Sequence, residues 1–227
     1  MTPTKFRDFV HKHGTAEQYK TGQVFHGHDF PAKLFVLKTG YVKRYQATNP
    51  HQRVIELIYG PGRIISLSQL YAALFGVEQN QEDLIYVYEA MTDVEAWVVT
   101  HDQVMQALQK GPELYKDFFY ESGLTLRANI NRLASNALKD DYKKVTHQIK
   151  CLADEFGDVV QHKGKPVTKI LAPLRPIDMA EQLNISVEVA DAVMSSLNKN
   201  GIIVIEGSTV YVPDGAQLKD EYLKTSF

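Results

Sequence analysis

The stretch over residues 112–138 constrains the chain most. Phe119, Gly123, Leu126, Ile130, Leu133 and Ala137 recur at alternating steps of four and three. Such steps keep one narrow apolar line on one side of a helix, the pattern of a coiled-coil seam rather than the broad stripe of a surface helix. A seam of this kind asks for a second helix; periodicity alone also permits one amphipathic helix packed on its own domain. Pro112 after Gly111 suits a first helical position, whose N–H has no helical partner anyway, and Glu113 and Asp117 suit the positive end of the helix dipole. Gly123 costs roughly 1 kcal/mol of helix propensity but lets two backbones approach closely.

Upstream, residues 19–100 read as seven or eight short strands. Val24–Phe25, Leu34 to Leu37, Tyr41–Val42 with Tyr45, Val54 to Ile58, Ile64–Ile65, Leu84 to Tyr88 and Val94 to Val99 are apolar or β-branched. Gly22, Gly27, Pro31, Gly40, Asn49–Pro50 and Gly60–Pro61–Gly62 punctuate them. That count implies a sandwich or a jelly-roll barrel. Residues 69–75 have helical character, and residues 79–83 form a polar loop. Residues 101–109 open the helical half, with Asp102 as an early acidic cap and Val104, Met105 and Leu108 facing inward.

Downstream, Asp140 and Asp141 supply a new cap, and residues 142–156 are helical with Val145, Ile149, Leu152 and Phe156 on one face. A strand pair follows around Val159–Val160 and 167–171. Residues 177–183 form a short helix, Asn184 makes the turn, Ser186 caps, and residues 187–198 form a second helix with Ala190, Val193, Met194 and Leu197 inward. Ile202 to Ile205, Gly207–Ser208 and Val210 to Val212 read as a hairpin. A short helix, a tight turn, a capped second helix and a hairpin are the order of a winged helix-turn-helix. In such a module the second helix enters the DNA major groove by its N-terminal residues.

The totals limit what this arrangement can do. With 227 residues, 44% hydrophobic and 23% charged, the chain suits two modest domains. No apolar run approaches the roughly 18 residues that cross a bilayer, and Arg7, Asp8 and His11 do not suit a secretory signal, so a cytoplasmic protein without membrane contact is expected. One cysteine, Cys151, can neither pair internally nor hold an iron–sulfur cluster. A net charge of −2 argues weakly against nucleic acid, but the local field at the contacting face decides. His26-Gly27-His28 suggests the metal strand of a cupin enzyme, but Ala32 and Lys33 stand where its glutamate belongs, and two histidines on a turn make no metal site. No Gly-rich phosphate loop, zinc-finger spacing or nucleophile elbow is present. No cofactor, metal or catalytic residue is assigned, and none of the eight histidines stands out as a haem ligand.

From Tyr19 to Pro213 the chain resembles the Crp/Fnr family of bacterial transcription regulators. The resemblance is carried by Tyr19-x-x-Gly22-x-x-Phe25, Gly27-x-Asp29, Leu34-Phe35-Val36-Leu37-x-x-Gly40-Tyr41-Val42-Lys43, and Gly60-Pro61-Gly62 before Ile64–Ile65. Leu133–Ala134, Asp140, Val145 and Leu152–Ala153 follow its hinge and the first helix of its DNA domain. It implies an α+β chain in three parts: a cyclic-nucleotide-binding-type β-roll sensor with flanking helices over 1–110, a dimerisation helix over 111–139, and a winged-helix domain with a C-terminal tail over 140–227. It also implies a homodimer on double-stranded DNA and RNA polymerase as a further partner. The dimer interface would be Phe119, Gly123, Leu126, Ile130, Leu133 and Ala137.

The departures matter as much. Where cyclic-AMP-binding members carry a Gly-Glu pair and an Arg-Ser or Arg-Thr pair, this chain has Ser66–Leu67 and Leu84–Ile85. Leucines cannot hold a phosphate, since burying an anion without donors costs several kcal/mol. An effector, if the protein has one, would be another small molecule. A mostly apolar pocket with hydroxyl tips is expected from Ser66, Leu67, Tyr71, Leu84, Ile85, Tyr86 and Tyr88, with Gly123 beside it; the same tyrosines also suit plain packing. The arginines usual on the recognition helix are replaced by Val187 and Ala192. Glu188 can accept from a cytosine amino group, Val187 and Val189 can touch thymine methyls, and Asp191 adds a charge that a phosphate repels. Arg175 and Ser186 suit phosphate contacts, with Lys199, Lys163, Lys165 and Lys169 as auxiliaries. The competing reading is a dimeric ligand- or protein-binding module that has lost sequence-specific DNA binding.

Overall fold

Two apolar side chains one turn apart, Phe6 and Val10, anchor the first helix, α1 (Lys5–His13); both are fully buried. The computed structural model describes residues 5–26, 33–49, 52–66, 70, 86–111 and 113–223. After α1 come β1 (Thr15–Tyr19), β2 (Val24–His26), β3 (Lys33–Thr39), β4 (Val42–Asn49), β5 (Gln52–Tyr59), β6 (Ile64–Ile65), β7 (Tyr86–Ala90) and β8 (Val94–Thr100). All pair antiparallel, in two four-stranded sheets ordered β1-β8-β3-β6 and β2-β7-β4-β5. This is the expected roll, and α1 is a helix of the kind expected to flank it. The addition is β1: the strands expected from Tyr19 onward leave it out, because five residues are too few to show as periodicity.

Alternation along β3 explains the packing. Leu34 and Val36 face a core shared with Phe6, Val10, Val104, Leu108, Leu114 and Phe118, while Phe35 and Leu37 are buried on the other face of the strand. Gly40, at φ +85°, turns the chain from β3 to β4 where a Cβ would lie 2.3 Å from the Asp93 carbonyl oxygen, so only glycine fits.

The helical half starts with α2 (His101–Lys110). Its cap is Thr100 and not the expected Asp102: the Gln103 N–H donates to Thr100 Oγ1 at 3.2 Å, and the Thr100 N–H donates back to Gln103 Oε1 at 2.9 Å. That reciprocal box satisfies two orphan donors, whereas Asp102 lies inside the first turn. The long helix α3 (Leu114–Ala137) follows, then α4 (Asp141–Phe156), capped by Asp140. The contacts of the chain divide it into two units, Met1–Arg127 and Ala128–Phe227.

In the second unit, β9 (Gly157–His162) and β10 (Lys165–Ile170) form a hairpin, followed by α5 (Pro176–Leu183), α6 (Val187–Lys199), β11 (Val204–Glu206) and β12 (Thr209–Val212). The four strands make one sheet, ordered β11-β12-β10-β9. Ile202 and Ile203, expected in the last hairpin, precede it as buried anchors outside any strand. The expected C-terminal tail contains a further helix, α7 (Gly215–Leu223), with Leu218 fully buried. The α+β architecture of roll, long helix and winged helix therefore stands.

Candidate nucleic-acid interface and helix clamps

α5 and α6 are joined by a turn that their own residues dictate. Asn184 closes α5 in the left-handed region at φ 51° and ψ 49°, a conformation asparagine tolerates. Ser186 opens α6, its Oγ accepting from the Val189 N–H at 3.3 Å. Ala190, Met194 and Leu197 face the core. Ser186, Val187, Glu188, Asp191, Ala192 and Lys199 are exposed, and Val189 is half-buried. The predicted contact residues of α6 thus share its outward side.

Their charges are unusual for the DNA-reading helix that the sequence predicts. Glu188 is held ionised, its pKa lowered by its own backbone N–H and by the Ser186 hydroxyl, so the carboxylate folds back on the start of α6. Arg175 is committed as well: its Nε and Nη2 donate to Asp178 Oδ2 and Oδ1 at 2.7 and 2.8 Å, and Asp178 is fully buried. This bidentate pair fixes the guanidinium, half-exposed, at the start of α5. Lys163, at the β9–β10 turn, lies 3.8 Å from Glu206. Lys165, Lys169 and Lys199 form no ion pair among the described residues, so they place positive charge on β10 and at the end of α6.

On α3, Phe119, Leu126, Ile130 and Leu133 are 73, 61, 54 and 59% exposed, whereas the adjacent Phe118 is buried. Ala137 is exposed, and a Cβ on Gly123 would meet nothing within 4 Å. The predicted seam is therefore open along its whole length in the single chain.

The inner side of α3 is held by two sets of buried polar side chains that the sequence reading missed. In the first unit, Glu121, 2% exposed, faces Arg63 Nε at 3.3 Å and Arg7 Nη2 at 3.6 Å. Arg63 Nη2 donates to Thr125 Oγ1 at 3.2 Å, and Arg7 Nη2 donates to the Gly62 carbonyl at 2.7 Å. Burial pushes the Glu121 carboxyl above its ordinary pKa, against the downward pull of Arg63 and Arg7. The Phe6 N–H donates to Asp117 Oδ2 at 2.9 Å, which ties α1 to the same helix.

In the second unit, Ser135 Oγ is fully buried within reach of the Asn131 carbonyl at 3.0 Å, His147 Nδ1 at 2.7 Å and Gln148 Oε1 at 2.9 Å. Gln148 Nε2 donates to Gln182 Oε1 at 2.7 Å, and Asn136 Nδ2 donates to the Gln182 carbonyl at 3.1 Å. The end of α3 is thereby joined through α4 to α5.

Of the predicted effector residues, Leu67, Tyr71, Leu84 and Ile85 lie outside the described residues. Tyr88 is buried, its ring 6.1 Å from that of Tyr59. The surroundings are not the mostly apolar ones expected. Arg44 packs its guanidinium 5.0 Å over Tyr86 and 2.8 Å from Glu56 Oε2, and its charge faces Tyr59 and Tyr88. Burial raises both phenol pKa values, so both stay protonated. Ser66, at φ 74°, lies beside Tyr88, whereas Gly123 is exposed on α3. No sequence spacing singles out Arg44, Glu56 or Arg63, because charges that pair in the interior follow no fixed spacing.

Cys151 has its thiol pushed up to about 11, chiefly by burial, which suits a packed side chain and not a nucleophile. Among the described residues no cluster of His, Cys, Asp or Glu can hold a metal ion, and no helix is long and apolar enough to cross a membrane.

No family model and no curated sequence matches the chain. Solved structures do. FixK2 from Bradyrhizobium japonicum superposes with a TM-score of 0.72 at 18% identity, over 91% of this chain and 96% of that one. A CooA variant from Carboxydothermus hydrogenoformans gives 0.70 at 16% identity, over 94% and 89%. A CRP/FNR-family transcriptional regulator from Thermus thermophilus gives 0.66 at 18% identity, over 92% and 99%. Over more than nine-tenths of its length the chain has the fold of the Crp/Fnr regulators.

Proposed function

We propose that this protein is a homodimeric, sequence-specific DNA-binding transcription regulator of the Crp/Fnr type, acting in the cytoplasm and not as an enzyme. The observation that carries the reading is the α5–turn–α6 unit: a left-handed Asn184, a capping Ser186 and an outward side of α6 free of packing duties. The open line on α3 supplies the dimer axis, so that two copies of α6 meet successive major grooves about 34 Å apart on a pseudo-palindromic operator. Val187 and Val189 read thymine methyls, and Glu188, on leaving its cap, reads an amino group. Ser186, Arg175 and Lys199 contact phosphates, and RNA polymerase is the expected protein partner. Asp191 and Ala192 complete the reading face without a guanine-specific arginine.

The roll is not assigned a cyclic nucleotide. Its paired charges, Arg44 with Glu56 and Arg63 with Glu121, are neutralised within the protein. An effector acting there would do so by changing how the paired α3 helices meet.

A second reading is supported by the acidic start of α6 and the internal pairing of Arg175: a dimeric ligand- or protein-binding module without sequence-specific DNA binding. A binding selection from random duplex DNA at several salt concentrations separates the two. Enrichment of a two-fold-symmetric site, with affinity falling as salt rises, supports the regulator. A selection that retains no sequence at any salt concentration supports the second reading.

A further inference from the structure

A serine hydroxyl has one proton, yet Ser135 Oγ stands within hydrogen-bond distance of the Asn131 carbonyl, His147 Nδ1 and the Gln148 side-chain oxygen. Only one can receive that proton. The imidazole decides which, because Nδ1 accepts when bare and donates when protonated. We propose that His147, Ser135, Gln148 and Gln182 form a relay whose hydrogen-bond direction is set by the proton on His147, and which thereby controls how firmly the end of α3 holds α5, the first helix of the DNA-reading unit. The consequence for DNA rests on the regulator reading above; the relay itself does not.

With Nδ1 protonated, every bond points away from the ring. Nδ1–H donates to Ser135 Oγ, the hydroxyl donates to Gln148 Oε1, and Gln148 Nε2 donates to Gln182 Oε1. Gln182 Nε2 is then buried without a partner among the described residues. With Nδ1 bare, the Ser135 hydroxyl donates to it, and both amide groups turn over. Gln148 Nε2 then donates to Ser135 Oγ, and Gln182 Nε2 donates to Gln148 Oε1. The unpartnered position passes to a carbonyl oxygen, which is less costly to bury unpaired than an amide N–H.

The surroundings favour the neutral ring, and the cost of an orphaned Gln182 donor favours its Nε2–H tautomer, with Nδ1 bare. His147 packs edge-on against Tyr222 of α7 at 4.8 Å, with Cys151 Sγ 3.8 Å from Nδ1. Lys150 and Asp154 of α4 are the charges acting on it, and they pair with each other. Burial, followed by Lys150, lowers its pKa against the upward pull of Asp154. Acid must therefore force the proton on, and doing so orphans the Gln182 donor.

The test follows the His147 ring signals and the Gln148 and Gln182 side-chain amide signals of the full chain by NMR between about pH 5 and 8. The amide signals should move with the midpoint of His147, and in Ser135→Ala, which cuts the relay, His147 should titrate while the amides stay still. Amides that ignore His147 in the unaltered chain, or that still follow it in Ser135→Ala, overturn the relay. With the duplex enriched in the selection above, affinity should fall about tenfold as His147 charges, the effect expected of one buried donor left unsatisfied. His147→Gln should remove that dependence; equal acid sensitivity in His147→Gln overturns control of DNA binding by the relay. If the selection returns no duplex, the regulator reading fails while the amide titration still judges the relay.

Discussion

Glu121 and Ser135 lie on the same helix and both are buried, yet they are held by opposite means. Glu121 sits between two guanidiniums at 3.3 and 3.6 Å. Ser135 sits in a neutral network at 2.7 to 3.0 Å. Coulomb attraction falls slowly with distance, so the charged clamp tolerates small displacements of the helix. Hydrogen bonds weaken steeply off their geometry, so the neutral clamp tolerates few. The long helix thus has a forgiving grip in the first unit and an exacting one in the second.

The largest effect should come from the exposed apolar line of the helix. Leu126→Glu puts a charge into the open seam and should give monomers by analytical ultracentrifugation, with no retention of an operator. A dimer surviving that change means the seam is misassigned and the copies pair through another face. Next is the charged clamp. Glu121→Ala leaves Arg63 buried and Arg7 half-buried without that carboxylate and should cost about 3–5 kcal/mol of stability in urea unfolding. A loss below about 1 kcal/mol would place the guanidiniums effectively in water.

Ser135→Ala should cost less, about 1–3 kcal/mol, because no charge is stranded. Native-state hydrogen exchange should confine that loss to the second unit. A loss as large as that of Glu121→Ala would mean that the neutral network holds the helix as strongly as the ion pairs do. The smallest effect is also the most diagnostic, since the two clamps answer acid with opposite sign. Glu121 has a raised pKa, so the folded roll holds its proton more tightly than the unfolded chain does; stability is greatest below the ordinary 4.5 and falls as pH rises through the folded value. His147 has a lowered pKa, so its contribution is intact above the ordinary 6.5 and is lost as pH falls toward the folded value. Trp97, the single tryptophan, reports on the first unit by fluorescence, and the histidine signals report on the second. The same sign in both units would contradict the contrast.

What the sequence disclosed, and what it withheld, divides along similar lines. Ser186, Asp140 and Asn184 act through neighbours within a few residues, so their roles as caps and turn could be read directly. The line from Phe119 to Ala137 was legible because a helix repeats its faces. The roll was legible because β-branched runs alternate with glycine turns. Arg63 and Glu121 are far apart in the chain, and no local pattern announces that they meet. Gln148 gave a faint sign: it lies beside Val145, Ile149 and Leu152 on a face that would otherwise be apolar, and a buried amide there needs a partner. Finding that partner in Gln182 required the fold. The acidic start of α6 was visible, but not that Ser186 and a backbone N–H draw the Glu188 carboxylate back onto the helix. The helix around Leu218 was missed because one buried side chain makes no period.

The empty space around Gly123 has an evolutionary consequence. In the free chain almost any residue there would improve the helix, since nothing within 4 Å resists a side chain. In the proposed dimer the same position is the one where a neighbouring backbone needs room. Selection for a sturdy monomer and selection for a close pair therefore pull this codon in opposite directions, and drift toward alanine would be expected in any lineage that abandoned pairing.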